Sequence, residues 1–216
     1  MTTALLTVGL TGGIATGKSY CLERFARFGA ATIDADEIAH DALAIGRPGL
    51  DAVIARFGRG VLQPDGHLDR AALGRIVFAD ADARRDLEAI VHPEVYLHIT
   101  QWLAAVDDLH TVATAQLGPV PGIAIADIPL LFETGRQYGF DAVLVVACTP
   151  DRQLQRLLAR GLSTTDAEQR IAAQWPIEEK IRRADYVIDT SGTFSDTDAQ
   201  LEIVWKKLSE RAVLQP

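Results

Sequence analysis

The chain alternates short, unbroken apolar runs with longer stretches in which apolar residues recur every three or four positions. Ala4 to Leu10 is the first run, and it stops at Thr11-Gly12-Gly13, which predicts a buried strand entering a turn. Leu22, Phe25, Ala26 and Phe28 then fall roughly along one helical face, Gly29 closes that helix, and Ala31-Thr32-Ile33 predicts a second short strand. A strand, a crossover helix and a strand imply a parallel pair, since parallel strands need such a connection. Two further runs rich in Val and Ile, Gly122 to Ile128 and Asp141 to Cys148, and the triplet Tyr186-Val187-Ile188 complete the strand set. The predicted fold is α/β, with a five-stranded parallel sheet covered by helices on both faces in three layers.

Two stretches interrupt this alternation. Between the second and third strands, residues 35–109 show helical spacing and no strand-like run, which predicts a helical insertion. Residues 151–183 carry Arg152, Arg156, Arg160, Arg170, Lys180, Arg182 and Arg183, a concentration of positive charge that suits either solvated helix faces or an anionic ligand.

The overall charge sharpens that choice. With 21 Lys and Arg against 29 Asp and Glu, the net charge is −8, so the surface as a whole repels nucleic-acid backbones and anionic lipid, and an anion must be held by a local site. An apolar content of 48% in 216 residues suffices for one compact domain with an inserted subregion. The most apolar stretch, Thr111 to Phe132, is broken by Gln116, Pro119, Pro121, Asp127 and Pro129, so no spanning helix is expected. No basic residue precedes Ala4-Leu5-Leu6, which lacks the pattern of a secretory signal. Cys21 and Cys148 form no Cys-x-x-Cys pair and read as buried thiols in a reducing cytoplasm.

The local anion site is Gly12-Gly13-Ile14-Ala15-Thr16-Gly17-Lys18-Ser19, which has the spacing Gly, four residues, Gly-Lys-Ser and lies between the first strand and its helix. The glycines let consecutive amide groups turn into one concavity around a polyphosphate, and the helix start adds its positive dipole end. Lys18 would reach the β- and γ-phosphates and the Ser19 hydroxyl would ligate Mg²⁺. Asp34-Ala35-Asp36 closes the second strand, and alternation along a strand would aim Asp34 and Asp36 the same way. Asp36 can take the proton of an acceptor hydroxyl or simply cap the following helix. Asp127 ends the third predicted strand, either as a second anchor for Mg²⁺ or as the stabiliser of a turn with Pro129. Arg156 and Arg160, one helical turn apart, could clamp a transferring phosphoryl group together. His92-Pro93 reads as a helix boundary.

Taken together, the sequence resembles the dephospho-coenzyme A kinase family from its first strand to about Gly192. The resemblance rests on Gly9 to Ile14, Asp34-Ala35-Asp36, Leu68 to Leu73 with Val77-Phe78, His92-Pro93, Pro129 to Glu133, Gln155-Arg156 with Arg160, and Gln174 with Ala184 to Ile188. It implies a P-loop kinase core, a coenzyme A-binding helical insertion and a lid in the arginine-rich stretch. The implied reaction is phosphorylation of the ribose 3′-hydroxyl of dephospho-CoA by ATP. The implied catalytic residues are Lys18, Asp36 and Arg156. Gly13, Ile14, Ala15, Thr16, Gly17, Lys18, Ser19, Tyr20 and Arg160 would hold ATP, Ser19 and Asp127 Mg²⁺, and Thr11, Asp36, His92, Pro129 and Leu130 the acceptor. Tyr20 stands where the family offers a small hydroxyl to the α-phosphate. Asp189-Thr190-Ser191-Gly192 has no asparagine amide, so ATP is expected to be preferred only modestly over other triphosphates. Another small-molecule kinase would share everything but the insertion. A guanine-nucleotide switch would need an Asn-Lys-x-Asp segment, which the chain does not contain.

Overall fold

The computed structural model describes residues 4–118 and 120–214, the Phe78 side chain excepted. Five strands, β1 (Leu6–Gly12), β2 (Ala31–Asp34), β3 (Ile123–Asp127), β4 (Ala142–Ala147) and β5 (Tyr186–Asp189), form one sheet in the order β2-β3-β1-β4-β5. Every pairing is parallel. β1 runs two residues beyond its apolar stretch, because Thr11 and Gly12 stay in register with Val145 and Val146 of β4. One expectation is corrected by the order. β1 and β2 do not pair, since β3 lies between them, so the carboxylate in register with the end of β1 is Asp127, opposite Leu10, and Asp34 is one strand further out, opposite Asp127.

The chain divides into two compact units. The first comprises the sheet and residues 103–216 with 1–34. Its helices are α1 (Lys18–Phe28), the end of α5 (Ala81–Leu117), α6 (Pro150–Ala159), α7 (Thr164–Ala172), α8 (Ile177–Arg182) and α9 (Phe194–Leu214). Burial chooses one face of α1, Cys21 and Phe25, which packs with Leu6, Val8, Leu10 and the α9 stripe Leu201, Val204, Leu208 and Ala212. Phe25, Phe28 and Trp205 close that layer, with ring centroids 5.8 to 6.4 Å apart. β3 and β4 are buried along their whole length, as expected for inner parallel strands.

The second unit, Ala35–Trp102, contains α2 (Ala35–Ala42), α3 (Pro48–Phe57), α4 (Arg70–Ala79) and the first part of α5. It is not wholly free of β pairing, because Leu62 and Leu68 form an isolated antiparallel bridge. Asp69 caps α4 by accepting from the Ala72 amide at 2.9 Å. Leu50, Val53, Val61, Leu73, Val91, Val95 and Ile99 are among its buried apolar residues. His92-Pro93 does not bound a helix. Both residues lie within α5, where packing of its apolar positions outweighs the hydrogen bond that Pro93 removes.

Candidate active site

The loop between β1 and α1 is bent by local geometry that the sequence allows. Gly17 precedes the helix at φ 95°, and Cys21 donates from its amide to the Gly17 carbonyl at 3.2 Å. A Cβ on Gly17 would find ordinary contacts 3.7 Å from Arg156 and Thr190, so it is the backbone angle, rather than space, that calls for glycine. Gly12 and Gly13 differ, because a Cβ there would run into the Val146 carbonyl and the Gln153 amide respectively. Ala15 also adopts a positive φ, 59°, a conformation that costs about 1–2 kcal/mol for a residue with a Cβ.

Neighbouring elements hold the bend in place. Thr16 donates from its hydroxyl to the Gly13 carbonyl at 2.9 Å, and the half-buried Lys18 folds its ammonium back to the same carbonyl at 3.3 Å. Gln153 of α6 donates to the Ile14 carbonyl at 2.8 Å, while the Gln174 side chain accepts from the Ile14 amide at 2.7 Å. Arg156 donates through Nη1 to the Ala15 carbonyl (3.1 Å) and to Thr190 Oγ1 (3.0 Å), and through Nη2 to the Thr190 carbonyl (2.7 Å). Thr190 in turn donates its hydroxyl to the Thr16 carbonyl at 2.6 Å. Arg156 and Thr190 therefore bind the loop to the end of β5. Arg160 is the exposed residue that closes α6, and only Arg156 of the pair is built into the loop.

Strand ends supply the carboxylates. Asp127 is buried at 2% exposure and lies close enough to Cys21 that its charge adds to the effect of burial, which is the main cause of a thiol pKa pushed up to about 12. Asp36 is not on the strand. The helix α2 begins at Ala35, directly after Asp34, so Asp36 sits exposed in its first turn, and strand alternation does not relate it to Asp34. Asp36 and His92 both belong to the second unit. Thr11 is fully buried and donates its hydroxyl to the Pro129 carbonyl at 3.1 Å, which fixes the turn carrying half-buried Pro129 and Leu130. The Tyr20 phenol is directed to α9, where it donates to Asp198 Oδ1 at 2.7 Å. That bond is the first cause of its raised pKa. Ser19, in the first turn of α1, is exposed.

One buried charge escaped the motif reading. Lys180 of α8 is fully buried and donates to Gly12 O (3.4 Å), Pro129 O (3.2 Å) and Glu133 Oε1 (2.8 Å). Burial pulls its pKa below the ordinary lysine value, against the opposing pull of Glu133. Glu133 also accepts from the Trp175 amide at 3.0 Å. The signal available in the sequence was scarcity, since Lys18, Lys180, Lys206 and Lys207 are the only lysines.

A phosphate loop at the carboxyl end of a parallel sheet, with a lysine and a hydroxyl in its helix start and acids at adjoining strand ends, defines a P-loop kinase-type protein. Comparison with known proteins narrows the class. A family model described as dephospho-CoA kinase matches residues 6–196. A dephospho-CoA kinase of Symbiobacterium thermophilum is 46% identical over 92% of this chain and 80% of its own length, and one of Geobacter sulfurreducens is 43% identical over 93% and 97%. Among solved structures, TT1252 from Thermus thermophilus superposes with a TM-score of 0.75 at 30% identity, covering 95% of this chain and 98% of that one. A dephospho-CoA kinase from Campylobacter jejuni gives 0.67 at 28% with the same coverage. The chain belongs to the dephospho-CoA kinase family.

Proposed function

We propose that the protein transfers the γ-phosphoryl group of ATP to the ribose 3′-hydroxyl of dephospho-CoA, yielding CoA and ADP in the closing step of CoA synthesis. The observation that carries this reading is the braced loop of residues 12–19, a cradle held in a strained bend by Arg156, Thr190, Gln153 and Gln174, in a chain of this family. Phosphoryl transfer needs positioning and charge stabilisation more than covalent help, which is what a braced loop with an ammonium beside it provides. Lys18 need only swing from the Gly13 carbonyl to meet the β- and γ-phosphates. Backbone groups of residues 13–20 cradle the polyphosphate, and the exposed Arg160 adds charge from the proposed lid, residues 151–183.

Asp36 is assigned the acceptor proton. Its place in the first turn of α2, two residues past the end of β2, is consistent with an exposed carboxylate meeting a hydroxyl, and the family resemblance assigns His92, Thr11, Pro129 and Leu130 to the acceptor as well. Ser19 and Asp127 offer a hydroxyl and a carboxylate, the hard oxygen donors magnesium takes, and one or two such ligands with substrate phosphates suffice for that ion. Among the described residues no group of three or more His, Cys, Asp or Glu forms a separate cage. Mg²⁺ held there would neutralise charge on the bridging phosphates.

Adenine recognition rests on backbone and stacking. Thr190 is committed to Thr16 and Arg156, and Ser191 Oγ accepts from the Thr149 amide at 2.9 Å and donates to Asp189. GTP is therefore expected to support measurable turnover, with kcat/KM for ATP higher by well under ten-thousandfold, the margin of a dedicated hydrogen-bonding site. We assign the protein to the cytoplasm, in keeping with two buried free thiols and with no described helix long and apolar enough to cross a membrane. The deciding experiment measures ADP release with ATP and dephospho-CoA, AMP or adenosine as acceptor. Release dependent on dephospho-CoA, with phosphate at the 3′ position, is expected. Faster release with AMP would favour a nucleotide kinase instead.

A further inference from the structure

We propose that Lys180 is a positioning residue that sets the spacing between the ATP loop and the acceptor-side turn. This inference rests on the reading of the site as a dephospho-CoA kinase centre. A lysine with no exposed surface is costly, and a buried ion pair alone is a weak reason to keep one, because an apolar pair of similar size often serves stability as well. Lys180 does more than pair. Its three donors reach two separate segments, the Gly12 carbonyl where β1 enters the phosphate loop, and the Pro129 carbonyl with the Glu133 carboxylate in the turn after β3. The Pro129 carbonyl takes a second bond from Thr11, one residue before Gly12, so the two segments are cross-linked twice at the same oxygen.

The geometry also separates Lys180 from Lys18. The two ammonium groups hold successive carbonyls of the loop, Gly12 by Lys180 and Gly13 by Lys18, and the charge of Lys18 acts on Lys180. Lys18, half-buried at the mouth, is free to leave its carbonyl for a phosphate. Lys180, enclosed beneath, has no path to one, so it keeps the loop entry aimed while Lys18 works. Its mount strengthens the point. Trp175, five residues earlier, donates its amide to Glu133, stacks on Phe132 with near-parallel rings 6.3 Å apart, and carries the Arg183 guanidinium 5.0 Å from its ring centroid. The α7–α8 segment is thereby anchored to the turn of residues 129–133, and Lys180 passes that anchorage on to the phosphate loop.

The expected consequence is a defect in the chemical step rather than in nucleotide binding. Donor and acceptor misplaced by about an ångström lose on the order of a hundredfold in rate. Lys180→Met and Glu133→Gln are to be compared with the parent for kcat with dephospho-CoA, ATP Kd by fluorescent-nucleotide displacement, and the ratio of ADP released to CoA formed. Glu133→Gln keeps an acceptor for the Trp175 amide while removing the charge, and so stands in if Lys180→Met fails to fold. We expect kcat to fall by about 10- to 100-fold, ATP Kd to stay within about threefold, and the ADP-to-CoA ratio to rise as water intercepts the misaligned phosphoryl group. A folded variant with kcat within threefold of the parent, or a rate loss that only follows ATP Kd with the ratio unchanged, would overturn the proposal. A parent protein that makes no CoA would instead overturn the functional reading beneath it.

Discussion

Replacing Arg156 with lysine tests whether the braced loop is a functional device. The guanidinium makes three hydrogen bonds from one planar fork, to the Ala15 carbonyl and to both oxygens of Thr190. A lysine ammonium cannot span that set and would keep one of them. Hydrogen bonds from a charged donor contribute about 1.5–3 kcal/mol each, and Arg156 is half-buried, so losing two bonds, discounted for solvent, removes about 2–3 kcal/mol. The bond to Ala15 restrains a residue at φ 59°, whose relaxation is worth a further ~1 kcal/mol in favour of the wrong conformation. If that energy, about 3–4 kcal/mol in all, serves to hold the loop ready for phosphate, the competent population falls by roughly 150- to 900-fold and the apparent ATP Kd rises by the same factor. Calorimetric titration with ATP, alongside thermal unfolding to establish that the variant is folded, provides the measurement. An ATP Kd within threefold of the parent, with turnover nonetheless depressed, would refute the bracing argument and return Arg156 to a direct role on the transferring phosphoryl group.

Three other outcomes follow from the site. Lys18→Ala should lose about a hundredfold to a thousandfold in kcat while unfolding within a few degrees of the parent, as checked by steady-state kinetics and calorimetry. Near-normal kcat would remove Lys18 from the chemistry. Asp36→Asn keeps the size and hydrogen-bonding shape of a first-turn residue while removing its ability to take a proton, so activity should collapse while thermal stability changes far less. The reverse pattern would make Asp36 a helix-start residue only. Cys21, with its thiol pushed up to about 12 chiefly by burial, holds roughly one part in ten thousand as thiolate at pH 8, and its labelling by a disulfide reagent should be slow, rise about tenfold per pH unit, and slow further with ATP. Labelling as fast as that of a free thiol would show that α1 opens readily.

What the sequence made legible was whatever local pattern encodes. The five strands, the Gly29 stop, the loop and the helical insertion all rest on period, length and turn residues, which are properties of neighbouring positions. The order of the strands was less accessible. Nothing in Ala31 to Asp34 says that β3 will intervene between it and β1, because that choice is made by residues some ninety positions later. Asp36 lies in α2 rather than on β2, and a helix that starts with no intervening loop leaves no punctuation in the sequence. His92-Pro93 misled for the opposite reason, as a proline marks a boundary only where packing does not carry the helix through it. Gln153, Gln174 and Lys180 lie in charged, polar stretches where one inward-facing side chain leaves no periodic trace. Their importance comes entirely from distant partners.

The central position of β1 has a consequence for how the protein is made. Leu6 pairs with Ile123 on one side, and Val8 with Ala142 on the other, so the strand that launches the phosphate loop has no neighbour until more than a hundred further residues exist. At synthesis rates of about 5–20 residues per second, that strand waits on the order of ten seconds for its first partner. During the wait, residues 35–102, the other compact unit, are made before any partner of β1. The nucleotide loop is therefore among the last parts to take shape on a growing chain. A ribosome stalled before residue 123 would carry an apolar segment, Leu5 to Leu10, whose strand partners have not yet been made, open to chaperone capture and unable to bind ATP.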